Sequence, residues 1–168
     1  DAMESRGLGD VYKRQPYKIS VPKSTLKNIY KKVRTYPWKM MQNVNGWEYG
    51  TNYNFLKKIS KYWVSKYNWK KFENKINSFK NYKTNVNGIN LHFIVEKSKN
   101  PKSRPLLLLH GWPGSVIEFF NIIPRLAHPE KFGGKIEDGF DVIVPSLPGF
   151  GFSTPIKKAL GPRKIGRI

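Results

Sequence analysis

Pro105-Leu106-Leu107-Leu108-Leu109-His110-Gly111-Trp112-Pro113-Gly114-Ser115 is the stretch on which the reading of this chain turns. Four leucines without a polar interruption predict a strand covered on both faces, as in a parallel sheet. Each buried leucine would contribute about 1.5–3 kcal/mol before entropy is counted. The run breaks at a Gly/Pro loop, and Ser115 followed by Glu118 has the form of a capping box that opens a helix. Strand, loop and helix start in that order place backbone N–H groups at the carboxyl end of a strand. Open α/β sheets bind their ligands there.

Working outward toward the carboxyl side, Ile117, Phe120 and Ile123 are expected to face inward, with Pro124 ending or kinking the helix. Residues Lys131 to Gly139 read as a loop. Phe140-Asp141-Val142-Ile143-Val144 reads as a second buried strand, running into Pro145-Ser146-Leu147-Pro148-Gly149-Phe150-Gly151-Phe152-Ser153. Strand, helix and strand with short links make a βαβ unit.

On the amino side, Tyr82 to Val86, Asn87-Gly88, then Ile89, Leu91, Phe93 and Val95 at period two predict a β-hairpin with a type I′ turn. Ser24 is placed to cap a helix carrying Leu26, Ile29, Tyr30 and Val33, stopped by Pro37. Phe55, Ile59, Trp63 and Tyr67 mark a second amphipathic helix, and Phe72, Ile76 and Phe79 a continuation or a third. Aromatics at helical spacing are read as core. Tyr17, Ile19 and Val21 alternate as an extended arm would. Residues 1–15 show no hydrophobic period and are read as a non-native leader, outside the fold.

The 168 residues hold no cysteine, which excludes disulfides, zinc–thiolate sites and Cys nucleophiles. No run nears the roughly 18 apolar residues of a membrane span. The amino terminus lacks the layout of a signal peptide. The expectation is a soluble, cytoplasmic protein, with endoplasmic-reticulum association as the alternative if an anchor precedes residue 1. The net charge of +20 raises the alternative of a basic nucleic-acid- or anion-binding module. Its distribution argues against that. Most of the 31 Lys and Arg lie scattered through residues 1–104 among Asn, Tyr and Trp, and Arg, the better reader of phosphates and bases, is scarce beside Lys. A solvated Lys-rich surface with no nucleic-acid partner is expected.

Taken together, these segments resemble the microsomal-type epoxide hydrolases, which include the juvenile hormone epoxide hydrolases. The likeness runs from about Pro16 to Ile168. It is carried by Trp47-Glu48-Tyr49-Gly50, Leu56 to Trp63, Tyr67-Asn68-Trp69-Lys70 and Asn87-Gly88-Ile89-Asn90-Leu91-His92-Phe93, and then by Leu107 to Ser115 and Pro145 to Ser153. The resemblance implies an incomplete α/β-hydrolase fold preceded by a helical and extended amino-terminal segment. It implies three parts: the leader 1–15, an epoxide hydrolase N-terminal domain over 16–103 ending in the hairpin, and the beginning of an α/β-hydrolase domain over 104–168.

It also implies a two-step chemistry on a small-molecule epoxide and water, without cofactor or metal, in epoxide metabolism and detoxification. An Asp on a nucleophile elbow opens the epoxide to an ester, and a His-activated water cleaves it. By the same resemblance Trp112 gives its backbone N–H to the oxyanion, the Trp112–Pro113 bond is cis, and His110, Gly111 and Pro113 support the loop. His110 is expected to brace rather than act as base. Asp141 reads as a structural carboxylate, Ser115 as a cap, and Ser146 and Ser153 as loop formers. The chain departs from the family in lacking a Gly-Gly-Asp-Trp-Gly elbow, an acid partner, a catalytic His and cap tyrosines in recognisable context. It is therefore expected to be a fragment without activity of its own. A dehalogenase or esterase relative would be told apart by the elbow residue. Substrate contacts and oligomeric state are not legible in these residues.

Overall fold

The computed structural model describes residues 14–43, 46–86, 88–154 and 156. The described residues divide into two compact units, one within 19–74 and one formed by those before 19 together with those after 74.

The second unit is built on a mixed five-stranded sheet. Its strands are β1 (Gln15–Pro16), β2 (Lys80–Val86), β3 (Ile89–Glu96), β4 (Pro105–Leu107) and β5 (Asp141–Pro145), in the order β1-β2-β3-β5-β4. The expected hairpin is β2–β3, antiparallel, with Tyr82 opposite Phe93 and Val86 opposite Ile89. Gly88 takes a φ of 82°, the positive value such a turn needs, while Asn87 lies outside the described residues. Beyond Leu91 the alternation of β3 gives way: His92, Phe93, Ile94 and Val95 are all buried. The cause is position. Phe93 to Glu96 pair with β5 on the far side, so this half of the strand is interior to the sheet and covered on both faces.

β4 and β5 run parallel, with Leu106 opposite Val142, and Leu108 N–H extends the ladder to the Ile143 carbonyl at 2.9 Å. The expectation of a leucine strand covered on both faces is corrected here. β4 is the edge strand among the described residues, with Leu107 at 55% and Leu109 at 56% exposure. The connection between β4 and β5 also differs from the expectation. The capping box at Ser115 forms, but it opens a 3-10 turn over Val116–Phe119, and Ile117 points outward at 45% exposure. The α-helix is short and later, Ile123–Ala127, and Pro124 sits in its first turn, where a missing N–H is harmless, rather than ending it. Phe120, Ile123 and Ala127 are buried, and the core they join is Ile94, Val142 and Val144.

The unit of residues 19–74 carries α1 (Lys23–Arg34), α2 (Tyr53–Ser65) and the start of α3 (Trp69–Asn77). Pro22, not Ser24, occupies the cap of α1, and no side chain caps it. The helix ends at Arg34, ahead of Pro37. Asn52 caps α2 through its side chain, which accepts the Phe55 N–H at 3.0 Å. The aromatics of α2 are not core as expected. Phe55, Ile59, Tyr62 and Trp63 are each more than two-fifths exposed, and the last three line an open apolar groove of about 470 Å³ with Leu26, Ile29 and Tyr30. The polar ties of this unit centre on Glu73, which accepts from the Val21 N–H at 2.8 Å and from the Trp69 indole at 3.0 Å, and pairs with Lys70.

Candidate active-site loop

Two loops leave the carboxyl ends of the parallel strands β4 and β5. The first, residues 108–115, turns sharply at Gly111, whose carbonyl accepts from Gly114 N–H at 2.7 Å. The Trp112–Pro113 peptide bond is cis. The second, residues 145–153, is wound by Phe150 N–H to the Leu147 carbonyl, Ser153 N–H to the Phe150 carbonyl and Gly149 N–H to the Ser153 carbonyl. Gly149 and Gly151 both have positive φ.

His110 joins the two. It is 3% exposed, and its Nε2 accepts the Leu147 N–H at 3.0 Å. Nδ1 therefore carries the proton, which it donates to the Gly111 carbonyl at 3.2 Å. The Phe150 ring meets the imidazole edge-on at 5.3 Å. Both ring nitrogens are engaged in holding backbone, so neither is free to take a proton from water.

The remaining loop positions follow from that brace. Trp112 lies at the crest with 84% exposure, and its N–H donates to no acceptor among the described residues. Ser115 N–H donates to Glu118 Oε1 at 3.2 Å while Ser115 Oγ accepts from Ile117 N–H, so its hydroxyl is committed to the turn. Asp141 accepts from Ser98 N–H at 3.0 Å and pairs with Lys97, and these contacts hold its carboxyl below the usual range against the opposing effect of burial. It lies at the amino end of β5, the end opposite the 145–153 loop. Among the described residues no group of three His, Asp or Glu is placed to hold a metal ion, and no helix is long and apolar enough to cross a membrane.

Sequence reading passed over one residue of this region. His92 is fully buried in the middle of β3, in contact with the second loop. Its place in the hairpin pattern put it on the polar face opposite Phe93, and nothing local marks it. The partners that bury it, Ser146 and Ser153, lie more than fifty residues away.

A family profile described as the epoxide hydrolase N terminus matches residues 14–119. The chain belongs to that family. A second profile, the alpha/beta hydrolase fold, matches residues 104–161. Juvenile hormone epoxide hydrolase 1 of Ctenocephalides felis is 35% identical over 158 residues, covering 92% of this chain and 33% of its own length. Epoxide hydrolase 1 of Oryctolagus cuniculus is 37% identical over 150 residues, covering 86% and 32%. Among solved structures, an epoxide hydrolase of Aspergillus niger superposes with a TM-score of 0.77 at 30% identity, over 92% of this chain and 40% of that one. The chain thus spans about a third of the length of the curated relatives it matches. The incomplete α/β-hydrolase fold expected from the leucine strand and its loop is the fold of these epoxide hydrolases.

Proposed function

We propose that this chain is the amino-terminal part of an epoxide hydrolase, in which the loop His110-Gly111-Trp112-Pro113 supplies one oxyanion donor. The observation that carries the reading is the Trp112 N–H at the carboxyl end of β4, unpaired among the described residues, beside a His110 whose ring is occupied in bracing. In the reaction an Asp carboxylate from the remainder of the enzyme attacks an epoxide carbon, the C–O bond breaks, and the epoxide oxygen takes up a proton. Water, deprotonated by a His, then adds to the ester carbonyl. The negative charge that forms on the carbonyl oxygen is met by the Trp112 N–H before the ester collapses to diol and free carboxylate. Gly111 and Pro113 hold the loop in place, and no metal or cofactor takes part.

The reading takes an N-terminal domain over 16–103 and a hydrolase beginning over 104–168; of the leader read over 1–15, residues 1–13 lie outside the described residues, and Gln15 already pairs with Lys83 in β1. It places the enzyme in the cytoplasm, acting on a small-molecule epoxide with water in detoxification, and gives residues 1–168 alone no turnover.

The test is to read the coding locus past Ile168 and express the whole frame. An in-frame Gly-Gly-Asp-Trp-Gly is expected, and a stop codon directly after Ile168 overturns the reading. In the full enzyme, replacing the peptide N–H of Trp112 by an ester oxygen should lower kcat by about 10²–10³-fold, the usual loss on removing one such donor. Trp112→Ala, which keeps the N–H, should lose far less. Equal losses in the two would place the effect in the indole.

A further inference from the structure

We infer that His92, with Ser146 and Ser153, positions the oxyanion loop at one remove, by fixing the 145–153 loop against which His110 is braced. The inference rests on the reading of Trp112 N–H as the donor, and names the residues that hold that donor still.

The bonds around His92 close a ring. Asn81 Nδ2 donates to the carbonyls of Ile76 at 2.9 Å and Phe79 at 2.8 Å, so its Oδ1 is left to accept. It accepts from His92 Nε2–H at 3.0 Å. His92 Nδ1 is then the unprotonated nitrogen, and the Ser146 hydroxyl donates to it at 2.9 Å. Ser146 N–H donates to the His92 carbonyl at 2.9 Å. Ser153 Oγ accepts the His92 N–H at 2.9 Å and donates to the Ser146 carbonyl at 2.7 Å. Both ends of the loop, Ser146 and Ser153, are thereby tied to one residue of β3 with every polar atom of the tie satisfied. Such a complete buried network specifies a single arrangement, because any slip leaves a donor or acceptor unpaired out of water.

The tie also fixes what lies next to it. Leu147 follows Ser146 directly, and its N–H is the donor to His110 Nε2. A Cβ at Gly151 would lie 3.1 Å from Ser146 Oγ, so the loop folds tightly back over the serine. The chain of contacts runs from His92 to Ser146, through Leu147 N–H to His110, and through the His110 ring to the Gly111 carbonyl beside Trp112. His92 and His110 end up as opposite tautomers, Nε2–H in the first and Nδ1–H in the second. His92 touches no reacting atom and acts only through this chain.

The test uses the full enzyme read from the coding locus, labelled with 15N, and reads spectra rather than turnover. Ring-nitrogen shifts at neutral pH should give the two opposite tautomers. In Ser146→Ala, Leu147 N–H should lose its coupling to His110 Nε2 and exchange at least about tenfold faster, with a shift at the Trp112 amide, while amides of the β2–β3 ladder change by less than about twofold. His92→Gln is the second variant and should do the same. His110→Ala should free Leu147 but leave the His92 tautomer as it was. Unchanged Leu147 and Trp112 signals in both variants overturn the inference. So does equal acceleration through the whole sheet, or unfolding of both variants, because His92 would then hold up the sheet rather than place the loop. A null result from the Trp112 ester substitution would instead sink the donor reading and leave these couplings intact.

Discussion

Burial, with the Lys83 ammonium as a second cause, depresses the His92 imidazole from its ordinary 6.5 to about 4. A histidine whose folded pKa lies below its unfolded one binds its proton first in the unfolded chain. Its contribution to stability is complete above about pH 6.5 and is lost as pH falls toward 4. A shift of that size corresponds to about 3 kcal/mol. Urea unfolding at pH 7 and pH 4.5 should therefore show a large acid loss in the parent chain and a much smaller one in His92→Gln, whose amide does not titrate. Equal slopes in the two would mean that His92 takes up its proton without leaving its place. Glu73 has the same pH sense for a different reason. Hydrogen bonds from Lys70 and the Val21 N–H, with a further one from Trp69, outweigh burial and hold its carboxyl at about 2. Its stabilisation is complete above the ordinary 4.5 and is lost as pH falls from there toward 2. Glu73→Ala should expose the Val21 amide to exchange at neutral pH, readable by the same 15N spectra.

At the scale of elements, the capping box and the glycine before it are one device. A Cβ at Gly114 would run into the Glu118 carboxylate and stand 3.0 Å from the Gly111 carbonyl. Gly114→Ala should therefore push Glu118 off the Ser115 N–H and strain the turn that carries Trp112. Ser115→Ala removes only the other half, and the ordinary loss for such a cap is about 1 kcal/mol. Thermal melts should place Gly114→Ala at or below Ser115→Ala; the reverse order would mean that Glu118 moves aside freely. The same elements show what was legible in the sequence. The hairpin could be read because Asn87-Gly88 and the alternation of Ile89, Leu91 and Phe93 are local signals of one strand pair. The loop at His110 could be read because Gly and Pro act within a few bonds. Pro124 was misread because a proline at the end of one helix and at the start of the next look alike in sequence, and only the 3-10 turn before it separates them. The His92 ring was invisible because its partners are set by sheet order, with β5 beside β3, which no local pattern encodes.

For the whole chain, two opposing properties decide how it behaves in solution. A net charge of +20 makes copies repel one another. The groove of Leu26, Ile29, Tyr30, Ile59, Tyr62 and Trp63, with Trp63 at 42% exposure, and the bare edge leucines Leu107 and Leu109, make them attract. The repulsion acts through solvent and is screened over about 10 Å at 0.1 M salt, whereas apolar association is not weakened by salt. Purified chain should therefore sediment as monomer at low salt and associate as salt is raised, binding a hydrophobic dye throughout. Trp63→Lys with Ile59→Lys should shift the onset of association to higher salt, because both changes remove apolar surface from the groove and add charge beside it. Association that is strongest at low salt and dissolves on adding it would require an anionic partner held by the lysines. The scattered charge of residues 1–104 would then have to be read as a binding face after all.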